Sequence, residues 1–305
     1  MVALHDGIGR RGFIGRCAGA ALGAAGALKL RAAPAPAAGG GTAEMRFGLV
    51  TYLWAQDWDL PALISNCERS GVLGVELRTT HRHGVEPSLN AAQRAEVKKR
   101  FADSPVTLAG IGSNERLDSP DPAVLARSIE AIKEFVVLSR DVGGSGVKVK
   151  PDSFHKDVPR ETTIAQIGAA LNRLGAFAAD YGQQIRLEVH GACSELPAIK
   201  AIMDIAAHRN VAVCWNSNAE DLKGAGLEHN FALVKDRLGA TAHVRELDSK
   251  SYPWAQLIAL FVKAGWKGWL LLEAGGAPKD PVAALIAQRK VFEALVAEAR
   301  KKAQP

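Results

Sequence analysis

A single-domain (β/α)8 barrel is the α/β fold this sequence predicts, and three observations predict it. From Met45 onward, short apolar runs alternate with stretches of helical periodicity, the signature of βα units and a parallel sheet. The alternation repeats eight times over about 260 residues, the size and order of an eightfold barrel. The last four strands each finish at or near a metal-binding or acid-base side chain, and such barrels carry their chemistry at the C-terminal ends of their strands.

In chain order, strands are predicted at 46–51, 74–78, 106–112, 146–150, 185–190, 211–216, 241–246 and 268–273. Helical periodicity fills 59–70, 90–102, 121–141, 160–182, 194–207, 226–237, 254–264 and 280–302. Ser119-Pro120-Asp121-Pro122 opens the third helix and Asp280-Pro281 the last, because proline suits a first helical turn whose N–H groups lack partners. The first strand runs into Thr51-Tyr52-Leu53-Trp54 instead of a phosphate-binding glycine loop, which sets aside a doubly wound open sheet.

The first residues differ in composition. Arg10-Arg11-Gly12-Phe13-Ile14 is followed by an Ala/Gly/Leu-rich stretch from Cys17 to Leu28 and then by Ala33-Pro34-Ala35-Pro36. This is a basic region, a short apolar region and a junction of small residues. It resembles a twin-arginine export signal, read by machinery that moves folded proteins to the periplasm. The predicted boundaries are a signal at 1–38, a disordered junction at 39–44 and the barrel at 45–302. An apolar run of about a dozen residues falls short of the ~20 that span hydrocarbon, so no permanent membrane span is expected. Arg16 precedes Cys17, which argues against a lipoprotein anchor.

Loss of residues 1–38 removes five basic residues and one acidic one, and the formal charge falls from +6 to +2. No basic run with interleaved aromatics remains, so a nucleic-acid partner is not implied. Gly7-Ile8-Gly9-Arg10-Arg11-Gly12 fits a dinucleotide-binding spacing but follows no strand and lies within the signal. Cys67, Cys193 and Cys214 remain, without Cys-x-x-Cys spacing, and read as buried thiols.

Glu188, Asn216, His243 and Glu273 lie at or near the ends of strands five to eight. Two carboxylates, an imidazole and an amide oxygen suit Mn²⁺, Mg²⁺, Co²⁺ or Zn²⁺, with positions left open for substrate oxygens. Residues two apart on a strand share a face, which pairs Glu188 with His190, His243 with Arg245, Glu76 with Arg78, and Lys148 with Lys150. His190 is a candidate acid-base group, Arg245 a candidate for orienting a substrate oxygen, and Lys150 or Lys148 a base if desolvated. The alternatives are a structural hydrogen bond for His190, solvated strand-end charges for the lysines, and an internal ion pair for Glu76 and Arg78. His81 and His83 follow strand two, and Trp54, Trp58, Trp215 and Trp254 flank strand ends where an aromatic plate meets a sugar ring or simply packs.

With Leu187-Glu188-Val189-His190 and Leu271-Leu272-Glu273 in view, the chain resembles the xylose isomerase-like TIM barrels over roughly residues 45–300. The resemblance implies that Glu188, His243 and Glu273 bind a divalent metal. Asn216 stands where that family usually has Asp, Asn218 is a rival ligand, and Ala219 replaces a His of the family pattern. It further implies an isomerase or epimerase of an unphosphorylated sugar or keto-sugar working through an ene-diolate, with Glu188 and Glu273 as the acid-base pair. Two alternatives stand beside it: a lyase or dehydratase using the same site, and a non-catalytic periplasmic sugar-binding barrel. The partners expected are a small carbohydrate, the export machinery and a second copy of the chain in a homodimer.

Overall fold

The computed structural model describes residues 44–303. The export signal expected at 1–38, and all of the expected junction but its last residue, lie outside the described residues. The described residues run through eight strands and eight α-helices in strict alternation: β1 Arg46–Val50, α1 Leu60–Ser70, β2 Gly74–Arg78, α2 Ala91–Ala102, β3 Thr107–Arg116, α3 Pro122–Val142, β4 Gly146–Lys150, α4 Arg160–Asp180, β5 Gln184–Glu188, α5 Leu196–Ile205, β6 Val211–Cys214, α6 Leu227–Val234, β7 Thr241–Val244, α7 Trp254–Lys263, β8 Trp269–Leu272 and α8 Pro281–Ala303. All eight predicted pairs are present. Strands β5 to β8 stop one to two residues earlier than expected, because the chain turns into the mouth loops there. Strand β3 runs longer, with an irregularity in its pairing to β4 between Gly112 and Arg116.

Every strand pair is parallel, in the order β6-β5-β4-β3-β2-β1-β8-β7. The seam between β6 and β7 is closed by isolated bridges, Val213 to Leu238 and Asn216 to His243. Across it His243 donates its amide to Trp215 at 2.6 Å, and Ser217 donates to His243 at 3.2 Å. Helix starts follow the sequence signals. Asp59 and Asp121 accept from first-turn amides ahead of a proline, and Asn90 forms a reciprocal capping box with Gln93.

Two apolar layers result. The outer one packs Leu63, Ile132, Leu171, Ile199, Phe261 and Leu285 of the helices against outward strand residues such as Leu49, Val75, Val147 and Leu187. The inner one is small: Val50, Ala109, Trp269 and Leu271. Trp269 fits because β2 begins with glycine, since a Cβ at Gly74 would lie 2.2 Å from its ring. Above it sits Arg186, fully buried, donating to the carbonyl of Ala109 at 3.0 Å and to Ser145 Oγ at 2.6 Å. A Cβ at Gly110 would meet its Nη1 at 2.8 Å, so glycine there leaves room for the guanidinium. The rest of the barrel lumen is charged: Glu76, Lys148, Glu188 and His243 are each at most 2% exposed. Charged side chains are almost never buried this deeply unless paired, which marks the lumen as the functional region.

Candidate metal centre

Glu188 ends β5, and alternation along Gln184–Glu188 turns it inward with Arg186. Its Oε1 lies 3.2 Å from His243 Nδ1 and accepts from Asn216 Nδ2 at 2.9 Å. Its Oε2 lies 2.8 Å from Lys148 Nζ in a contact ion pair without hydrogen-bond alignment. Glu273, one residue beyond β8, brings Oε2 to 3.8 Å from His243 Nδ1. Ligand atoms of Glu188, His243 and Glu273 fall within 4.8 Å of one another.

These residues fit a divalent cation by donor type and orientation. Two carboxylates and one imidazole nitrogen converge, and the Asn216 amide reaches the same point. Its Nδ2 faces Glu188, and a flip that gives up that bond would turn Oδ1 toward a cation. Each ligand is also held from behind. His243 Nε2 is 3.1 Å from Glu76 Oε1, so a proton on Nε2 leaves Nδ1 free to face a cation. Lys148 sets a positive charge against the far oxygen of Glu188. Carboxylates and hydrogen-bond partners of this kind set ring tautomer and ligand orientation at metal sites.

Electrostatics bind the cluster tightly. Burial by itself would raise the Glu188 carboxyl, but Lys148 and His243 outweigh it and hold Glu188 well below the usual carboxylate range. Burial would lower Lys148, yet Glu188, Glu76 and Glu273 keep its ammonium above the ordinary lysine value. His243 is likewise disfavoured as a cation by burial and raised well above its usual value by Cys214, Glu76 and Glu188. In the metal-free protein a proton on His243 therefore serves as a counter-charge to the surrounding carboxylates.

Beside the cluster the mouth opens into a cavity of about 260 Å³ bordered by His190, Ser194, Asn216, Asn218 and Arg245. His190 Nδ1 is 2.9 Å from Asp152 Oδ1, and Arg116 holds the other oxygen of Asp152 at 3.0 Å. Asp152 adopts a positive φ of 63° and its carbonyl accepts from Cys193, which locks the loop after β4 to the loop after β5. Arg245 is exposed and donates to the Glu273 carbonyl at 3.1 Å. Lys150 is buried and donates to Asn114 Oδ1 at 2.9 Å, and burial followed by repulsion from Lys148 lowers it.

The structure thus brings Glu188, Asn216, His243 and Glu273 together, with His190 and Arg245 on the adjoining cavity. It corrects several alternatives. Glu76 pairs with His243 and not with Arg78, whose guanidinium contacts His81 and lies 5.2 Å from the Tyr52 ring centroid. Lys148 and Lys150 are not solvated strand-end charges, since both point into the barrel. Asn218 is spoken for: its Oδ1 accepts from Glu220 N and its Nδ2 donates to the Asn216 carbonyl, capping a short 3-10 turn, so Asn216 is the better-placed amide. His83 spends both ring nitrogens on backbone groups of its own loop, so neither is free to face the mouth. Trp215 and Trp254 are core residues, packed on Phe231 and Tyr252. Cys67, Cys193 and Cys214 are free and buried. Sequence reasoning missed Asp152, which lies past the end of β4 where alternation no longer reports a face. It paired Glu76 with Arg78 and not with His243, although β2 alternation already turned that residue inward. No helix among the described residues is long and apolar enough to cross a membrane.

Comparison with known proteins gives the same architecture. The family described as "Xylose isomerase-like TIM barrel" matches residues 64–295. Among curated proteins, none matches the sequence. The structure of L-ribulose 3-epimerase superposes with a TM-score of 0.73 at 19% identity, over 85% of this chain and 97% of that one. The IOLI protein with a bound zinc atom superposes at 0.71 and 14%, covering 84% and 99%. The probable 3-DHS dehydratase AsbF from Bacillus anthracis superposes at 0.64 and 15%, covering 82% and 99%. At these identities the likeness is one of fold.

Proposed function

The chain belongs to the xylose isomerase-like TIM barrel family, and on that premise we propose that it is a divalent-metal-dependent isomerase or epimerase of an unphosphorylated sugar or keto-sugar. The observation that carries this reading is the convergence of Glu188 Oε1, His243 Nδ1 and Glu273 Oε2 on one point at the barrel mouth, with Asn216 beside them. Glu188, Asn216, His243 and Glu273 would hold Mn²⁺, Mg²⁺, Co²⁺ or Zn²⁺. The zinc atom of the IOLI structure, on the same fold, supports that class of ion. A bound ion supplies Lewis acidity toward a substrate carbonyl and its neighbouring hydroxyl.

The protein's own groups do the rest. Glu273 is the freer carboxylate, 8% exposed against 1% for Glu188, and has only the long 3.8 Å contact to His243 for its side chain. It is the base that takes the proton from the carbon beside the carbonyl, leaving an ene-diolate. Glu188, pinned by Lys148, Asn216 and His243, works from the opposite side as its acid-base counterpart. His190, oriented by Asp152, presents its other nitrogen to the cavity and moves protons between substrate oxygens. Arg245 orients a substrate oxygen at the rim, and Lys150 is a second buried base candidate.

Elimination is the second reading. A cavity-lining imidazole held by a carboxylate suits protonation of a departing hydroxyl, and the likeness to the probable dehydratase AsbF agrees with it. Periplasmic placement by the twin-arginine route belongs to the same proposal. It rests on the Arg10-Arg11 signal pattern.

The test is carbon-bound proton exchange in deuterated water, followed by NMR over a panel of keto-sugars, with Mn²⁺ or chelator. Metal-dependent exchange lost in Glu273→Gln supports the reading. Tight sugar binding without exchange, with or without metal, would leave the chain a sugar-binding barrel.

A further inference from the structure

Lys148 has no counterpart among the expected ligands, yet it lies at the centre of the cluster. It is 2% exposed, its Nζ is 2.8 Å from Glu188 Oε2, and Glu76, Glu188 and Glu273 are the carboxylates that act on it. β4 places it there by register. Lys148 pairs with Arg186 on β5, one inward layer below Glu188, and an extended lysine reaches up to the Glu188 carboxylate. The second observation is Asn216, a neutral amide in the fourth ligand position, whose Nδ2 donates to Glu188 Oε1. Both features act in one direction. A neutral amide leaves the ligand set less negative than a carboxylate would, and Lys148 sets a buried positive charge against it.

The lumen's buried charged side chains are Glu76, Glu188 and Glu273 against Lys148, Lys150 and Arg186. Three carboxylates and three basic groups already balance without a metal. A divalent ion entering beside them turns a balanced lumen into a positively charged one in a low-dielectric interior, where like charges repel strongly.

We propose that Lys148 is a resident counter-cation of the candidate metal centre: it holds the carboxylates together in the metal-free protein and leaves a divalent ion weakly bound and exchangeable. This rests on the metal reading above. It departs from a purely supportive role, in which Lys148 would only steady Glu188 as a ligand. The two accounts predict opposite signs. Outer partners that only orient a ligand typically weaken metal binding 10–100-fold when removed, whereas removing a repelling charge tightens it.

The experiment is calorimetric titration of the chelator-treated full chain with Mn²⁺, for the wild type, Lys148→Gln and Lys148→Met. Glutamine removes the charge and stays polar, and methionine removes the charge and keeps an apolar chain of similar length. Both variants are expected to bind Mn²⁺ at least tenfold more tightly than the wild type. Weaker or unchanged binding in the variants, with measurable binding in the wild type, overturns the proposal and leaves the metal reading standing. Absence of binding in all three proteins overturns both. Should the variants not fold, the wild type still decides. A Tm that moves by less than about 2 °C on chelation agrees with a centre already held together by Lys148, and a large chelator-induced fall refutes it.

Discussion

Glu76 offers the sharpest perturbation of the centre because it touches one ligand and no cavity. Its Oε1 lies 3.1 Å from His243 Nε2, its Oε2 has no hydrogen-bond partner, and the residue is fully buried. Glu76→Gln keeps the shape and an acceptor for His243 but removes one of the three lumen carboxylates. Lys148, Lys150 and Arg186 then face only Glu188 and Glu273. Removing one member of a buried ionic network costs about 3–5 kcal/mol, because it leaves the opposing charge buried and uncompensated. For a domain of this size, at roughly 2 °C per kcal/mol, Tm falls by about 6–10 °C. Metal binding weakens as well, by about 10–100-fold, because His243 loses the carboxylate that fixes Nδ1 toward the cation. Differential scanning fluorimetry in chelator and calorimetry with Mn²⁺ read the two effects separately. A Tm within about 2 °C of wild type together with unchanged Mn²⁺ affinity would refute the assignment of Glu76 as the residue that orients His243.

Further expectations follow from the same geometry. His243 is raised well above the ordinary histidine value of 6.5, so its stabilising contribution is complete below that pH and is lost as pH rises through the folded value. The chelated protein should therefore lose Tm on going upward from pH 6.5. An incoming Mn²⁺ should release close to one proton at pH 7, measured by calorimetry in buffers of different ionisation enthalpy, and zero release would contradict it. Asp152→Asn tolerates the positive φ and removes the carboxylate from His190 Nδ1. It should lower kcat about 10–100-fold with little change in Tm, whereas a fall in Tm with kcat intact would make Asp152 a loop latch only. Asn218→Ala should cost about 1 kcal/mol of stability as a lost cap and leave Mn²⁺ affinity unchanged, while Asn216→Ala should weaken it. The reverse pattern would exchange their roles.

The barrel was legible because each strand carries its own apolar run and each helix its own start signal, and both are local features. Glu188, His243 and Glu273 were legible for a related reason: strand alternation states which side chains share the lumen. Partnership is not local. Glu76 and His243 are separated by 167 positions, and nothing in β2 itself distinguishes a carboxylate aimed at an imidazole from one aimed at Arg78. The lysines of β4 were ambiguous because their alternation fits both a solvated strand end and a lumen lined with acids. The choice between Asn216 and Asn218 depended on the 3-10 turn at Ala219–Leu222, which claims the second amide for its own backbone.

The seam between β6 and β7 gives the ligand set a mechanical meaning. Seven of the eight strand junctions are continuous ladders, and the eighth is held by two isolated bridges, one of which joins Asn216 to His243. Glu188 and Asn216 stand on one bank of that gap, and His243 and Glu273 on the other. A cation coordinated by all four clasps the barrel wall where it is thinnest, so ion occupancy should be recorded in the breathing of the wall itself. The amides of Ser217 and His243, which cross the gap, are the ones whose hydrogen exchange should slow when the clasp closes.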